Sequence, residues 1–330
     1  MVDNGTLNFS FGCKNIKGFL KQLSNHGTCR KMKSDGSYYI VKLFNEPDFT
    51  ANNNFKNNPK LQLNIFWENG IVKINVRNSL RKWYYGSSSM RNFNKTDFIK
   101  CLHLISKKLD VDYNTLTASK ITKLEIGLNL RFEFFFQTFL STIIEHERLK
   151  NDFHFSRGTS GFEGENLSLI FYDKLRELFD HGKINSRVYR KLSEKYFFLR
   201  VEAGFKKISG VPFAKKNLSS VNDLLTNWEE VYGYLLDQLR KVTYIDWISP
   251  RIDDELKFSS YSEIKEYFIF LLSEFIGMKK LFQLLQYTDR PSIHKKQIIA
   301  AVEKFRKLKN PSYKEVFFQN FLDNKSYILS

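Results

Sequence analysis

Apolar and polar residues alternate along several short runs in the earlier part of the chain, then recur at three- and four-residue spacing towards its end. LQLNIFW at 61–67 and IVKINVR at 71–77 both show the period of two of a half-buried strand, and Glu68-Asn69-Gly70 between them is a hairpin signal. Residues 1–80 therefore read as strands joined by turns, with an Asn-rich loop over Thr50 to Pro59. Phe98, Leu102, Ile105 and Leu109 keep helical spacing behind a Thr96-Asp97 start and predict an amphipathic helix over 95–109. KITKLEIGLNLR at 120–131 returns to period two, with Leu124, Ile126, Leu128 and Leu130 on one face and Lys123, Glu125, Gly127, Asn129 and Arg131 on the other. NLSLIFYDK at 166–174 and YFFLRVEAGFKK at 196–207 are further strands, separated by a mixed helical stretch. The run 132–150 is ambiguous but long enough for a helix, and Gly158, Gly161 and Gly164 mark a loop.

Beyond Ser209-Gly210-Val211-Pro212 the pattern is helical near 220–241, 261–286, 292–308 and 312–323, with breaks at Pro250, Pro291 and Pro311. The expected fold class is α+β: a curved, largely antiparallel sheet in a domain of residues 1–212, followed by an all-helical C-terminal domain over 213–330. No period of about 20–50 residues indicates a repeat architecture.

Composition narrows the function. A chain of 330 residues that is 42% hydrophobic can build a real core. Its 52 Lys and Arg outweigh 35 Asp and Glu, giving a formal net charge of +17. That balance suits a polyanion binder, nucleic acid first, with anionic membrane surfaces and acidic proteins as alternatives. Most aromatic residues sit in apolar runs such as FEFFFQTFL, where core packing is the ordinary role. Cys13, Cys29 and Cys101 are too few and too scattered for a disulfide framework or a four-ligand zinc site, and read as reduced thiols. No apolar segment approaches the roughly 18–20 residues of a membrane span, and MVDNGTLNF does not read as a signal peptide. The expectation is a cytoplasmic protein with no membrane partner.

Three of the strands present polar residues opposite their apolar stripe: Glu125 and Asn129, Tyr172 and Lys174, Arg200 and Glu202. If these strands are neighbours, the six side chains converge on two carboxylates and an amide for a divalent metal, a tyrosine, and two cations to receive a phosphate. Those are the parts of a phosphodiester transesterification, with oxygen ligands suited to Mg2+ or Mn2+ and tyrosine oxygen as nucleophile. The plainer alternative is the solvent face of ordinary antiparallel strands, with Tyr172 a packed residue whose hydroxyl is satisfied.

Four segments carry a resemblance. SLRKWYYGSSSMRNF at 79–93, ITKLEIGLNL at 121–130, FSRGTSGFEGENLSLIFYDKLREL at 155–178 and LRVEAGFKK at 199–207 resemble, in order and spacing, the gene II/gene X replication proteins of filamentous phages and the trans-acting initiators of rolling-circle plasmids. The resemblance implies a replication initiator that nicks and rejoins one DNA strand through a 5′-phosphotyrosine and leaves a 3′-hydroxyl primer. It implies Tyr172 as nucleophile with Lys174 beside it, and Glu125 and Glu202 as metal-binding or active-site carboxylates. Tyr189 and Tyr196 lie nearby as alternatives. It also implies origin DNA, duplex and single-stranded, as partner, a host polymerase and a helicase as associates, and a role for the helical domain in recognition, dimerisation or helicase contact.

The chain departs from many rolling-circle nucleases in having no histidine-hydrophobe-histidine pair among its six histidines. His154, ahead of the glycine-rich turn, stands as a third metal ligand or as an ordinary strand histidine. Glu125 replaces the more usual aspartate. The glycines form no nucleotide-binding loop, because no Lys-Ser/Thr follows them. Arg157 in that turn, Arg200, and Lys206 and Lys207 with Lys215 and Lys216 are the expected phosphate contacts, and the run at 294–297 reads equally as a solvated basic helix face. A non-catalytic DNA-binding regulator and a membrane-surface or protein-interaction module are the rival readings.

Overall fold

A computed structural model of the chain describes all residues except 35–36, 45–58, 134–138, 156–157, 245–257, 277 and 307–312. The Asn-rich loop and Arg157 lie outside the described residues. The chain divides into two compact units, one comprising Met1–Phe134, Glu145–Val242 and Asp323–Ser330, the other Phe135–Ile144 and Thr243–Leu322.

The first unit is built on strands β1 (Val2–Gly12), β2 (Gly27–Lys31), β3 (Tyr38–Phe44), β4 (Lys60–Glu68), β5 (Ile71–Arg77), β6 (Lys120–Glu133), β8 (Lys150–Phe155), β9 (Thr159–Glu163), β10 (Leu167–Asp173) and β11 (Tyr196–Phe205). A short β7 (Ile143–His146) pairs with β12 (Val242–Tyr244) in a separate two-stranded sheet. The ten strands form one sheet in the order β2-β3-β4-β5-β1-β6-β11-β10-β9-β8, with every pairing antiparallel. The architecture is α+β with a large antiparallel sheet, as the alternating runs predict. The β4–β5 hairpin closes at Asn69 and Gly70, whose φ values of 52° and 76° match the turn that twisted antiparallel strands require.

That order contains a duplication. The first half runs β1-β5-β4-β3-β2 outwards from the centre and the second β6-β11-β10-β9-β8, so in each half the first strand is central and the last inserts beside it. The two central strands, β1 and β6, pair antiparallel. No sequence repeat announces this, because the halves share a strand order and an alternation of buried and open positions without sharing residues.

One face of the sheet is the core. Leu7, Leu63, Ile65, Val72, Val76, Ile126, Leu128, Leu169, Phe171, Leu199 and Val201 are all buried, which at about 1.5–3 kcal/mol per large apolar side chain is the main drive to fold. Helix α1 (Ile16–Ser24) departs from the expectation of strands alone over residues 1–80. Asn15 caps it by accepting from the Gly18 N–H, and Ile16, Phe19, Leu20 and Leu23 are buried on one side. Helix α2 (Leu80–Tyr85) is capped by Ser79. Helix α3 (Lys95–Leu109) is capped by Asn94 and buries Phe98, Leu102, Ile105 and Leu109, the stripe that its spacing predicts. The helices Pro212–Asn217, Val221–Thr226 and Trp228–Arg240 belong to this first unit as well; Trp228 donates to the Ile328 carbonyl at 2.9 Å.

The second unit is helical, with Tyr261–Ile276, Met278–Leu284, Pro291–Arg306 and most of Tyr313–Asp323. Leu281, Ile298 and Val302 form a small core there, packed by Ile269, Phe270, Phe282 and Leu285. Among the described residues no helix is long and apolar enough to cross a membrane.

Candidate active site

Strand register decides the site. β6, β11 and β10 are consecutive, and Asn129, Arg200 and Tyr172 stand directly opposite one another across them. Glu202 faces Gly127, and Glu125 faces Gly204, so the two glutamates are diagonal neighbours on one face. The glycines make that packing possible. A Cβ on Gly127 would stand 2.6 Å from the Val201 carbonyl oxygen and 2.9 Å from Glu202 Cγ. Gly127→Ala is therefore expected to destabilise the first unit by about 1–3 kcal/mol, read as a lowered urea midpoint, and to shift Glu202.

Arg200 is fully buried at the centre. Its Nε donates to Glu202 Oε1, its Nη1 to Asn129 Oδ1 at 2.9 Å, and its Nη2 to Asp3 Oδ2. Burial disfavours its charge, yet Asp3 and Glu202 outweigh this and hold the guanidinium protonated above its ordinary range. Asp3 lies where the pairing of β1 with β6 shifts register between Val2 and Asn4. There it also meets Arg81 Nε at 3.3 Å and accepts from the Ser79 hydroxyl. Burial acts to raise its pKa, but Arg200 and Arg81 prevail and hold the carboxyl well below the usual range. The result is a buried Arg–Asp–Arg triad extended by Glu202.

Asn92 completes the frame. Its side chain accepts from the Asn129 N–H at 2.7 Å and donates to the Asn129 carbonyl at 2.9 Å, so an amide stands in for a strand residue where the β1 pairing has run out. Asn129 in turn donates to the Met90 carbonyl at 2.7 Å and accepts from Arg200. Asn129 thus holds Arg200 in place.

The Tyr172 hydroxyl donates to Glu202 Oε1 at 3.1 Å. Burial, and then the charge of Glu202, push its pKa well above the ordinary value, so the resting group is the phenol. Lys174 opens the helix Lys174–Asp180 rather than ending β10, with Asp173 as cap. Its ammonium is buried, donates to Glu177 Oε2 at 2.7 Å and lies 5.6 Å from the Tyr172 ring centroid. Burial and then Arg200 lower its pKa to about 8.

Glu125 is the strained group. Burial, then Glu202 and Asp3, raise its pKa to about 7, against a smaller opposing hydrogen bond from Asn4. Because the folded value exceeds the unfolded one, this residue contributes stability that is full below about pH 4.5 and is lost as pH rises through about 7. Glu125→Gln should flatten that decline, gaining about 2 kcal/mol at pH 8 over wild type after allowance for solvent screening, and little at pH 5. Urea titrations at the two pH values measure it.

The donor set decides how a metal would be held. Arg200 takes the Asn129 oxygen and one Glu202 oxygen, and among the described residues no three His, Cys, Asp or Glu side chains cluster closely enough to hold a metal ion. The diagonal Glu125–Glu202 pair would nevertheless suit a hard divalent cation that keeps most of its waters, since such an ion would offset the burial and, next, the Glu202 charge that raise Glu125. For His154 only the backbone is described, on β8 opposite Ser160.

In comparisons with known proteins, no family model matches the chain and no curated protein matches it.

Other expected contacts scatter. Lys206 pairs with Glu163 and donates to the Gly164 carbonyl at 3.1 Å, and Lys207 is exposed. Tyr189 stacks on Phe179 with centroids 4.5 Å apart, and Tyr196, at the start of β11 and six residues before Glu202, packs against Arg131. Asp3, Ser79, Arg81 and Asn92 escaped sequence reasoning as site residues. A signal existed for Asp3, an acid inside a run otherwise alternating towards the core, and for the segment 79–93 as a whole.

Proposed function

We propose that the chain is a rolling-circle replication initiator that nicks and rejoins one DNA strand with Tyr172 as nucleophile. The observation that carries this reading is the cross-strand row of Asn129, Arg200 and Tyr172, with the tyrosine hydroxyl already on Glu202 Oε1. A nucleophile, a proton acceptor within hydrogen-bond reach and fixed positive charge are what phosphoryl transfer to tyrosine needs.

Tyr172 oxygen bonds to phosphorus as its proton passes to Glu202. The bond from phosphorus to the 3′ oxygen breaks, and that oxygen leaves with the bonding pair and gains a proton. A 5′-phosphotyrosine and a free 3′-hydroxyl result. Arg200 keeps Glu202 and Tyr172 aligned, and Lys174 supplies charge beside the ring. Glu125 and Glu202 would hold Mg2+ or Mn2+, and such an ion would supply Lewis-acid polarisation of the scissile phosphate. The basic chain suits origin DNA, with a host polymerase extending the primer, a helicase opening the duplex and a second copy of the chain as associates in the host cytoplasm.

The test is incubation with single-stranded DNA and Mn2+ or Mg2+, then denaturing electrophoresis. A protein–DNA adduct that survives denaturant is expected; its absence across cognate-origin candidates sinks the enzymatic reading. A non-catalytic DNA-binding regulator is the second reading, favoured by the saturation of Arg200 with protein partners. It predicts salt-sensitive DNA binding with no adduct.

A further inference from the structure

The other half of the sheet carries a second polar row. Asn8 on β1, Asn75 on β5 and Asn64 on β4 stand opposite one another across three neighbouring strands. They share the face of Glu125, because Asn4, Thr6 and Asn8 alternate along β1 and Asn4 is cross-strand from Glu125. Their amides form a directed chain: Gln62 donates to Asn64 at 3.0 Å, Asn64 to Asn75 at 3.3 Å and Asn75 to Asn8 at 2.5 Å. Arg77 Nε joins it on Asn75 at 2.6 Å.

Asparagine is a poor strand former, so three in one row need a reason. The row floors an open groove of about 630 Å³. At its edge the rings of Tyr38 and Phe66 stack with centroids 4.5 Å apart and planes 6° from parallel, and Phe66 is 44% exposed. Exposed Lys73, Arg77 and Lys120 line the same groove, and no acidic residue is among its lining residues. Aromatic faces, amides that can pair with base edges and exposed cations, of which Lys73 has only a loose surface pair with Glu68 at 3.9 Å, together match single-stranded nucleic acid, whose bases are free to stack and whose phosphates are negative.

We infer that this groove is a docking platform for single-stranded DNA, set in the half of the duplicated sheet that lacks the tyrosine and on the face that carries it. Bases stack on Tyr38 and Phe66, phosphates meet Lys73, Arg77 and Lys120, and the half-buried amides of Asn8, Gln62 and Asn75, braced by buried Asn64, offer their remaining donors and acceptors to the base edges. The duplication thereby divides labour, one half gripping the strand and the other cutting it. The inference rests on the reading of the chain as a DNA-processing protein.

Fluorescence anisotropy of the full-length chain with a labelled single-stranded oligodeoxynucleotide tests it. Phe66→Ala should weaken binding roughly 5- to 100-fold, and Lys73→Ala with Arg77→Ala should make the affinity less steeply dependent on salt. Circular dichroism checks that each variant folds; Phe66 and the two cations are exposed, so they should. Unchanged affinity in both variants overturns the platform even if wild type forms the tyrosine adduct. A Phe66-dependent affinity without any adduct keeps the platform and overturns the nickase. Equal binding of duplex and single strand, competing with one another, also overturns the platform.

Discussion

Tyr172→Phe is expected to bind single-stranded DNA as wild type does and to form no covalent adduct, a fall of at least about a thousandfold in nicking. The substitution removes one oxygen. Its structural cost is the hydrogen bond to Glu202, about 1 kcal/mol, so the variant should fold with a nearly unchanged urea midpoint. Glu202 keeps its bond from Arg200, so the carboxylate does not become an orphan. Loss of adduct with retained binding and stability isolates the nucleophile from its scaffold. If the variant still forms adduct, Tyr172 is not the attacking group. Tyr189→Phe and Tyr196→Phe serve as controls and should retain activity, because the Tyr189 ring stacks on Phe179 and the Tyr196 ring packs against Arg131, whereas the Tyr172 hydroxyl bonds Glu202.

Asp3→Ala should produce the largest loss of stability, about 3–5 kcal/mol by urea denaturation. The reason is uncompensated charge. Asp3 is the only carboxylate shown bridging Arg81 and Arg200 among the described residues, and its removal leaves two buried guanidiniums facing one another with Glu202 on one side only. Asp3 also explains an acid dependence. Its folded pKa lies below the unfolded value near 4, so its contribution is full above about pH 4 and is lost as pH falls below that. Wild type should lose stability steeply in acid, and Asp3→Ala should lose that part of the slope. A wild-type slope that persists in the variant would assign acid sensitivity elsewhere.

Much of the frame was legible along the chain. Alternation marked β4, β5, β6, β10 and β11, and the buried stripes Leu124, Ile126, Leu128 and Leu130, and Phe98, Leu102, Ile105 and Leu109, followed directly from period. Glu125, Asn129, Tyr172, Arg200 and Glu202 were legible as residues on the face opposite the apolar stripe for the same reason, but the burial of Asn129 and Arg200 was not. Lys174 was not, as a strand residue, because Asp173 caps a helix that begins there and local capping does not show in an alternation count. Helix α1 was missed because nine residues between strands offer too short a window for a period of 3.6 to stand out.

Alternation by itself determined which residues share a face, since successive strand side chains must point to opposite sides whatever the partner strand. Which strands are neighbours depends on contacts between segments far apart in the chain. Tertiary structure alone brought β6, β11 and β10 together, turned the lone acid Asp3 into the bridge between two arginines, let Asn92 stand in for a strand residue beside Asn129, and repeated one strand order in two unlike halves. Each of these is a long-range pairing whose free energy comes from burial and cross-strand hydrogen bonding, and no local pattern encodes the partner.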